Sequence, residues 1–202
     1  MSTVLYIDGE NIKHYLKTVL INSGVTEKKL SLENFSYFTL FDRALRGIAL
    51  SERRYYLARI RVYQDSIRKS KNLILKQRIQ KANLEKSDIK VIVGGNVRGQ
   101  EVKINGKRKT VFHEKGVDVK IAVDLVAEAC DHRVTTAILC SSDSDLQPAV
   151  KEARLRGVEV IYLGFELNPN KGLSYTTSRT ILIRNSEVLE VHAATQRMTS
   201  KK

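Results

Sequence analysis

Strand-like and helix-like segments alternate along almost the entire chain, and this alternation restricts the fold more than any other feature of the sequence. Short β-branched runs predict strands, and the segments between them repeat apolar residues at helical spacing. Strands separated by helices usually pair in parallel, and a parallel sheet is covered by helices on both faces. The sequence therefore predicts an α/β fold with a mainly parallel sheet. The predicted strands are residues 3–8, 54–63, 89–93, 136–140, 158–163 and 181–183, and the predicted helices are 11–22, 35–48, 67–84, 117–129, 146–156 and 173–177.

The size of the chain favours one domain, because 202 residues are too few for two well-filled cores. A hydrophobic content of 42% with only 11 Gly and 2 Pro is typical of a compact fold. We predict one domain over residues 1–184 and a frayed basic tail over residues 185–202. No signal-like segment and no run of 18 apolar residues occurs, so the expected compartment is the cytoplasm and no membrane partner is expected.

Positive charge is concentrated in one part of the chain. The formal net charge is +13, and residues 43–90 contain 14 Lys and Arg against 4 Asp and Glu. A concentrated positive field attracts polyanions, which favours nucleic acid or an anionic membrane as the partner. A merely solubilising surface is the alternative.

The helix predicted at residues 67–84 combines an apolar stripe with a cationic face. The stripe is formed by Ile67, Ile74, Leu75, Ile79 and Leu84. The cationic residues expected to contact phosphate groups are Arg68, Lys69, Lys71, Lys76 and Arg78.

A β-hairpin is predicted at residues 101–112, because Asn105-Gly106 supplies the two positive φ angles of a tight turn. Its arms would add to the basic surface. The basic residues of the arms are Lys103, Lys107, Arg108 and Lys109.

Acidic residues follow the predicted strands where a parallel sheet places its ligand site, beyond the carboxyl ends of the strands. Asp8 ends the first strand, Asp143 and Asp145 follow the strand at 136–140, and Asp118 opens a helix. Clustered carboxylates repel one another unless a cation neutralises them, and hard oxygen ligands favour Mg²⁺ or Mn²⁺. Such an ion can activate water for attack on a phosphodiester.

Helix capping is the alternative explanation for each acid taken singly. Asp8, Asp118, Ser142 and Asp143 all belong to residue types that cap helices. Capping alone does not explain Asp145 together with the other acids. Asp124, six residues after Asp118, is interpreted as a residue that supports the metal ligands or as a partner for a buried cation.

Zinc is disfavoured, since neither Cys130 nor Cys140 has the usual ligand spacing, and both are predicted to be small buried residues. The four His residues are scattered, and we assign them no chemistry.

Three motifs, in order along the chain, resemble the signatures of the NYN domain in its LabA-like bacterial branch. They are Ile7-Asp8-Gly9-Glu10-Asn11, then Glu114-Lys115-Gly116-Val117-Asp118-Val119 with Asp124, and Ser141-Ser142-Asp143-Ser144-Asp145-Leu146 followed by Gly157-Val158. The resemblance runs from Val4 to about Ile183. It implies a PIN-like, Rossmann-like three-layer α/β/α fold and a metal-dependent ribonuclease, with endoribonuclease action the expected activity.

The same resemblance implies individual roles. Asp8, Asp118, Asp143 and Asp145 would bind Mg²⁺ or Mn²⁺, and Asn11 would join them in catalysis. Ser142 would orient ligands or substrate, and Lys115 would be a cation facing the phosphate or supporting the site. The expected partner is single-stranded or structured RNA, and a homo-oligomer is left open.

Two other functions compete with the nuclease. An RNA-binding or regulatory adaptor would keep the fold and the basic helix but cleave little or nothing. A phosphatase-like enzyme is disfavoured because the first strand ends in Asp-Gly-Glu and lacks an Asp-x-Asp nucleophile pattern. No Walker A loop or GxGxxG element suggests a nucleotide site.

Overall fold

A seven-stranded sheet forms the centre of the computed structural model, which describes residues 2–26, 30–104 and 107–199. The strands are β1 (Thr3–Asp8), β2 (Glu52–Arg59), β3 (Lys90–Ile104), β4 (Lys107–Lys115), β5 (Thr136–Cys140), β6 (Glu159–Phe165) and β7 (Arg179–Ile183). Their order is β4-β3-β2-β1-β5-β6-β7, and every pair is parallel except β3 with β4. The predicted mainly parallel sheet is confirmed.

Helices cover both faces of the sheet and enclose two hydrophobic cores. Their bounds are α1 (Gly9–Asn22), α2 (Tyr37–Ala44), α3 (Ile67–Lys86), α4 (Val117–Cys130), α5 (Gln147–Leu155), α6 (Lys171–Thr176) and α7 (Asn185–Thr199). Side chains of α1, α2, α3 and α7 contribute to the first core, and side chains of α4, α5 and α6 contribute to the second. This arrangement confirms the three-layer α/β/α prediction.

The central strand β1 is buried on both faces, as its continuous apolar run predicts. Leu5 and Ile7 point into the first core, while Val4 and Tyr6 point into the second. The strand has the predicted bounds and delivers Asp8 to its carboxyl end.

The alternating bulky and basic residues at 54–63 predict a half-exposed second strand, and this prediction is wrong. Four consecutive residues of β2, Tyr55–Ala58, are buried, because the strand lies inside the sheet between β1 and β3. Its basic residues are the cause of the error: Arg54 is accommodated by ion pairs with Glu52 and Glu128 instead of by solvent.

Gly94 and Gly95 do not end the third strand, contrary to prediction. Strand β3 continues through them, and its pairing with β2 shifts by one residue at this point. A Cβ atom on Gly94 would lie 2.7 Å from Lys120 Cβ, and one on Gly95 would lie 2.2 Å from the Lys115 carbonyl oxygen. The glycines therefore allow the start of α4 to approach the sheet.

Strands β3 and β4 form the predicted hairpin, with Ile104 opposite Lys107. The turn at 105–106 lies outside the described residues, as do the side chains of the predicted basic arm residues Lys103, Lys107, Arg108 and Lys109.

The predicted apolar stripe of α3 is wrong in three of its members. Ile67, Leu75 and Ile79 are 42%, 56% and 41% exposed. The inward face is largely polar instead: Gln80 Nε2 donates hydrogen bonds to the hydroxyls of Tyr37 and Tyr55. The hydroxyls of Tyr37 and Tyr55 thus bind the buried Gln80 side chain, which the periodicity of α3 alone would place in solvent.

Residues 185–199 are not the frayed tail that we predicted. They form α7, which packs against α1 and α2 and buries Val188, Val191 and most of His192 in the first core. The tail beyond residue 199 lies outside the described residues. None of the described helices is both long enough and apolar enough to cross a membrane. Cys140 is buried as predicted, whereas Cys130, at the end of α4, is exposed.

Candidate active site

The carboxyl ends of β1 and β5 bring two of the sequence motifs together. These strands pair in parallel with Ile7 opposite Cys140, so Asp8 and Ser141 emerge side by side. The Ser141 hydroxyl donates to Asp8 Oδ2 at 3.0 Å. The backbone N–H of Asn11 donates to Asp8 Oδ1 at 3.1 Å.

The Asp8 carboxyl is buried, with 8% of the residue exposed. Burial raises its pKa, the hydrogen bonds from Asn11 and Ser141 oppose this change, and the nearby charge of Asp143 adds to it. A negative charge at Asp8 is therefore held in place by donors but remains costly, which is the condition that a cation would relieve.

Asn11 and Ser142 fix the loop after β5 against α1. The Ser142 N–H donates to Asn11 Oδ1 at 3.0 Å, and the Ser142 hydroxyl lies 2.7 Å from the Tyr162 hydroxyl. Asn170 Nδ2 donates to the Ser142 carbonyl at 2.9 Å. These contacts give Asn11 and Ser142 a clear positioning role beside Asp8 and Asp143.

Asp118 enters the site from the opposite side of the sheet through the first turn of α4. Gly116 occupies the N-cap position with a φ of 89°, a conformation that glycine adopts without strain. Asp118 is not the cap, so capping does not account for it. Capping does describe part of the role of Asp8 in α1, and Asp143 accepts from the Asp145 N–H at 2.9 Å.

A cavity of about 530 Å³ at this edge of the sheet is shared by three of the four predicted metal ligands. It also exposes a fourth and a fifth carboxylate, from Glu10 and Glu114, and the side chain of His14, to which we assign no chemistry from sequence. The polar and charged lining residues are Asp8, Glu10, Asn11, His14, Glu114, Lys115, Asp118 and Asp143.

Asp145 is not brought into this cavity. It is exposed and lines a neighbouring depression with Ser144, Gln147 and Lys151. The 3₁₀ turn at Ser144–Leu146 directs consecutive side chains apart, so Asp143 and Asp145 face different spaces.

Asp124 supports the fold behind the cavity. Its Oδ2 accepts from the Tyr56 hydroxyl at 3.0 Å, and its Oδ1 accepts from Lys120 Nζ at 2.6 Å. Asp124 thus pairs with a cation, but Lys120 is 40% exposed and is not the buried cation of the prediction.

Glu114 belongs to the second sequence motif, but no role was predicted for it from the sequence. Burial raises its pKa to about 7, and the carboxylates of Glu10 and Asp8 add to this shift. Its Oε1 atom is buried and has no hydrogen-bond partner. Glu114 also lines the cavity that contains the other carboxylates, and carboxylate oxygens are the donors that hard cations prefer.

We expect Glu114 to make stability depend on pH. The folded state holds the Glu114 proton up to about pH 7, whereas the unfolded chain loses it near 4.5. Stability therefore falls as pH rises through this window, by about 2 kcal/mol once partial exposure is allowed for. Denaturant unfolding of wild type and Glu114→Gln in EDTA, at pH 5 and pH 8, should show the variant gaining stability relative to wild type by this amount.

The exposed substitution Glu85→Gln removes the same charge from α3 and serves as the control for Glu114→Gln. It should leave the difference between pH 5 and pH 8 as in wild type. Equal pH dependence in wild type and Glu114→Gln would contradict the assigned environment of Glu114.

Most of the possible donors in the cavity are carboxylates, which suit Mg²⁺ or Mn²⁺. Over the residues that the structure describes, no three Asp, Glu, His or Cys side chains are grouped so that they could hold a metal ion. Mg²⁺ commonly takes only one or two protein carboxylates and completes its shell with water and substrate phosphate. The cavity fits that mode of binding.

The basic residues predicted on α3 divide into two groups. Lys69 Nζ donates to the Thr110 carbonyl at 3.0 Å and lies 5.0 Å from the centre of the Phe112 ring, so it ties α3 to the hairpin. Lys76 pairs with Glu33 at 2.9 Å. The remaining three side chains are exposed to solvent: Arg68, Lys71 and Arg78.

Comparison with known proteins identifies the family of the chain and supports its fold. The family model described as the NYN domain matches residues 2–183. No curated protein matches the chain significantly. Among solved structures, the crystal structure of a protein of unknown function from Vibrio parahaemolyticus is similar at 17% sequence identity, with a TM-score of 0.54 over 90% of this chain and 93% of that chain.

At 17% identity the crystal structure supports the fold alone. The assignment to a LabA-like branch stays a prediction. The family match covers nearly all of the sheet, all three motifs and the shared cavity. This chain belongs to the NYN domain family of the PIN-like nuclease superfamily, whose members are typically nucleases.

Proposed function

We propose that this protein is a metal-dependent endoribonuclease that hydrolyses RNA at the cavity formed by Asp8, Asp118 and Asp143. The observation that carries the proposal is the convergence of these carboxylates from β1, α4 and the loop after β5, in a chain with a net charge of +13. Helix capping does not account for this set, because Asp118 is not a helix cap.

The proposed division of labour follows from the contacts. Asp8, Asp118 and Asp143 would hold Mg²⁺ or Mn²⁺, and Glu114 lines the same cavity. When bound, the ion would activate a water and stabilise phosphoryl charge during in-line attack. Asp145 would join these ligands only if its side chain turned out of the neighbouring depression.

The other side chains bind and orient. Asn11 and Ser142 hold the loop that carries Asp143, as their hydrogen bonds indicate. Lys115 is exposed at the mouth of the cavity, where an amine would attract the RNA phosphate. The exposed basic residues of α3 would add long-range attraction for the RNA backbone. The residues proposed for RNA contact on this helix are Arg68, Lys69, Lys71, Lys76 and Arg78.

The test is cleavage of a circular single-stranded RNA and of its linear form, each with Mg²⁺, Mn²⁺ or EDTA. An endoribonuclease opens the circle, which has no end for an exonuclease to attack. We expect both substrates to be cut with either metal and neither to be cut in EDTA. Cutting of the linear RNA alone would exclude internal cleavage, and RNA that is bound but intact with every metal would favour the adaptor.

A further inference from the structure

A second depression lies beside the candidate active site, between α1 and α3, and no role has been given to it. We call it the α1–α3 cleft. It has a volume of about 430 Å³, and Ile60, just after the carboxyl end of β2, contributes to its lining. The lining includes Lys13, Lys17, Ile21, Ile60, Leu73, Lys76 and Gln77.

Helix α1 connects the cleft to the active site. Glu10, Asn11 and His14 line the catalytic cavity, whereas Lys13 and Lys17 line the cleft. The Lys13 ammonium pairs with Glu10 at 2.6 Å across the boundary. Six residues separate Asn11 from Lys17, a rise of about 9 Å along the helix. An extended ligand in the catalytic cavity can therefore continue into the cleft.

The lysines of the cleft are only partly neutralised by ion pairs within the protein. Lys76 pairs with Glu33 but its side chain remains 51% exposed. Lys17 is exposed, and no ion pair involves it among the described residues. Amines spaced along one wall suit a ligand with repeated negative charges.

The walls between these amines are apolar, which a surface that contacted only phosphates would not need. Ile21 is 44% exposed, and Ile60 and Leu73 share the space with it. The Gln77 side chain donates to the Ala58 carbonyl at 2.8 Å, and its amide oxygen is left to accept from a ligand. Apolar faces combined with amide and ammonium groups match the faces, edges and phosphates of unpaired nucleotides.

We propose that the α1–α3 cleft binds unpaired nucleotides that flank the scissile phosphate, and thereby makes single-stranded RNA the preferred substrate. The proposal rests on the nuclease function proposed above. A duplex would present its phosphates to the lysines, but its stacked and paired bases could not reach Ile21 and Leu73. Preferential binding of single-stranded RNA therefore distinguishes binding in this cleft from non-specific attraction of phosphates by basic residues.

The test measures binding in EDTA, so that it does not depend on cleavage. A fluorescently labelled 12-nucleotide RNA, single-stranded or annealed to its complement, is titrated with wild type, Lys17→Glu and Ile21→Ser. Both positions are exposed, and thermal unfolding verifies that the variants fold. Arg46→Glu makes the same charge reversal at an exposed position after α2, near the amino end of β2, and is the matched control.

We expect Lys17→Glu to weaken binding of the single strand about 10-fold and Ile21→Ser to weaken it about 3-fold. The salt slope of Lys17→Glu should decrease by about one unit, whereas that of Ile21→Ser should not change. Duplex binding should change by less than about 2-fold in Ile21→Ser. Arg46→Glu should resemble wild type with both RNAs.

Two results would overturn the cleft proposal while leaving the nuclease intact. One is equal binding by Lys17→Glu and Arg46→Glu. The other is a loss confined to the combined Arg68→Ala, Lys71→Ala and Arg78→Ala variant, which would place the strand on the outer face of α3. Failure of wild type to bind either RNA would instead count against the proposed function itself.

Discussion

Asp8→Asn is expected to cleave RNA at least about 100-fold more slowly than wild type while unfolding in EDTA at a temperature no lower than wild type. The loss of activity follows from removal of a charged oxygen ligand at the proposed ion. The retained stability has a separate cause. Asp8 is buried with a raised pKa, so its charged form disfavours the folded state at neutral pH.

The asparagine keeps the local structure of the site. Its amide oxygen can accept from the Asn11 N–H, and its amide group can donate to the Ser141 hydroxyl. The pKa of this carboxyl is higher in the folded protein than in the unfolded chain. The folded protein therefore becomes less stable as pH rises from the unfolded pKa to the folded pKa. Asn does not titrate, so its stability relative to wild type should increase over that window.

Two measurements separate these effects. Cleavage rates are compared at saturating Mn²⁺, and melting temperatures are compared with Mn²⁺ and with EDTA. Mn²⁺ should raise the melting temperature of wild type and leave that of Asp8→Asn unchanged. Asp88→Asn, at a side chain that is 95% exposed and precedes β3, is the control: it should cleave RNA at the wild-type rate, and Mn²⁺ should raise its melting temperature as much as that of wild type. Cleavage by Asp8→Asn at the wild-type rate would mean that the site is misassigned.

Sequence reasoning located most of this site because its members follow strands. A parallel strand has one carboxyl end, and the sheet gathers these ends at one edge. The bounds of β1 and β5 are as predicted, and Asp8, Asn11, Ser142 and Asp143 consequently lie together. Asp118 could be placed because its helix follows an Asn-Gly hairpin and a Lys-Gly step.

Glu114 and Asp145 show where the same reasoning stops. Glu114 is the penultimate residue of β4, the only antiparallel strand of the described sheet, and it lines the cavity where Gly94 and Gly95 allow α4 to approach β3. No pattern in the sequence encodes that approach. Asp145 lies two residues after Asp143, inside the 3₁₀ turn that Asp143 caps. Side-chain direction changes rapidly along such a turn, so sequence spacing does not predict which of the two carboxylates faces the cavity.

The errors on α3 and α7 have different physical origins. The inward Gln80 of α3 is explained by hydroxyls on α2 and β2, which are far away in sequence. In α7, by contrast, Val188 and Val191 are spaced as the buried face of a helix, and this signal was present in the sequence. The polar residues around them favoured the interpretation as a tail.

Arg54→Leu is expected to lower the free energy of unfolding by about 3–5 kcal/mol, because it leaves a buried carboxylate without its main partner. Arg54 Nη1 donates to Glu128 Oε1 at 2.6 Å, and Glu128 is only 7% exposed. The other Glu128 oxygen accepts from the Tyr6 hydroxyl. The next cation, Arg133, is 3.9 Å away and lies at the surface.

Urea unfolding of Arg54→Leu should be compared with that of Arg53→Leu. Arg53 occupies the adjacent position on β2, but its ion-pair partner Asp88 is exposed and 3.7 Å away. Arg53→Leu should therefore lower the free energy of unfolding by only about 1 kcal/mol. Adding Glu128→Gln to Arg54→Leu removes the unpaired charge and should recover part of the loss, whereas Glu128→Gln added to Arg53→Leu should only destabilise further. If Arg54→Leu and Arg53→Leu lower the free energy of unfolding equally, the burial of Glu128 adds little to the cost of losing its partner. The network would then stabilise the fold no more than a surface ion pair does.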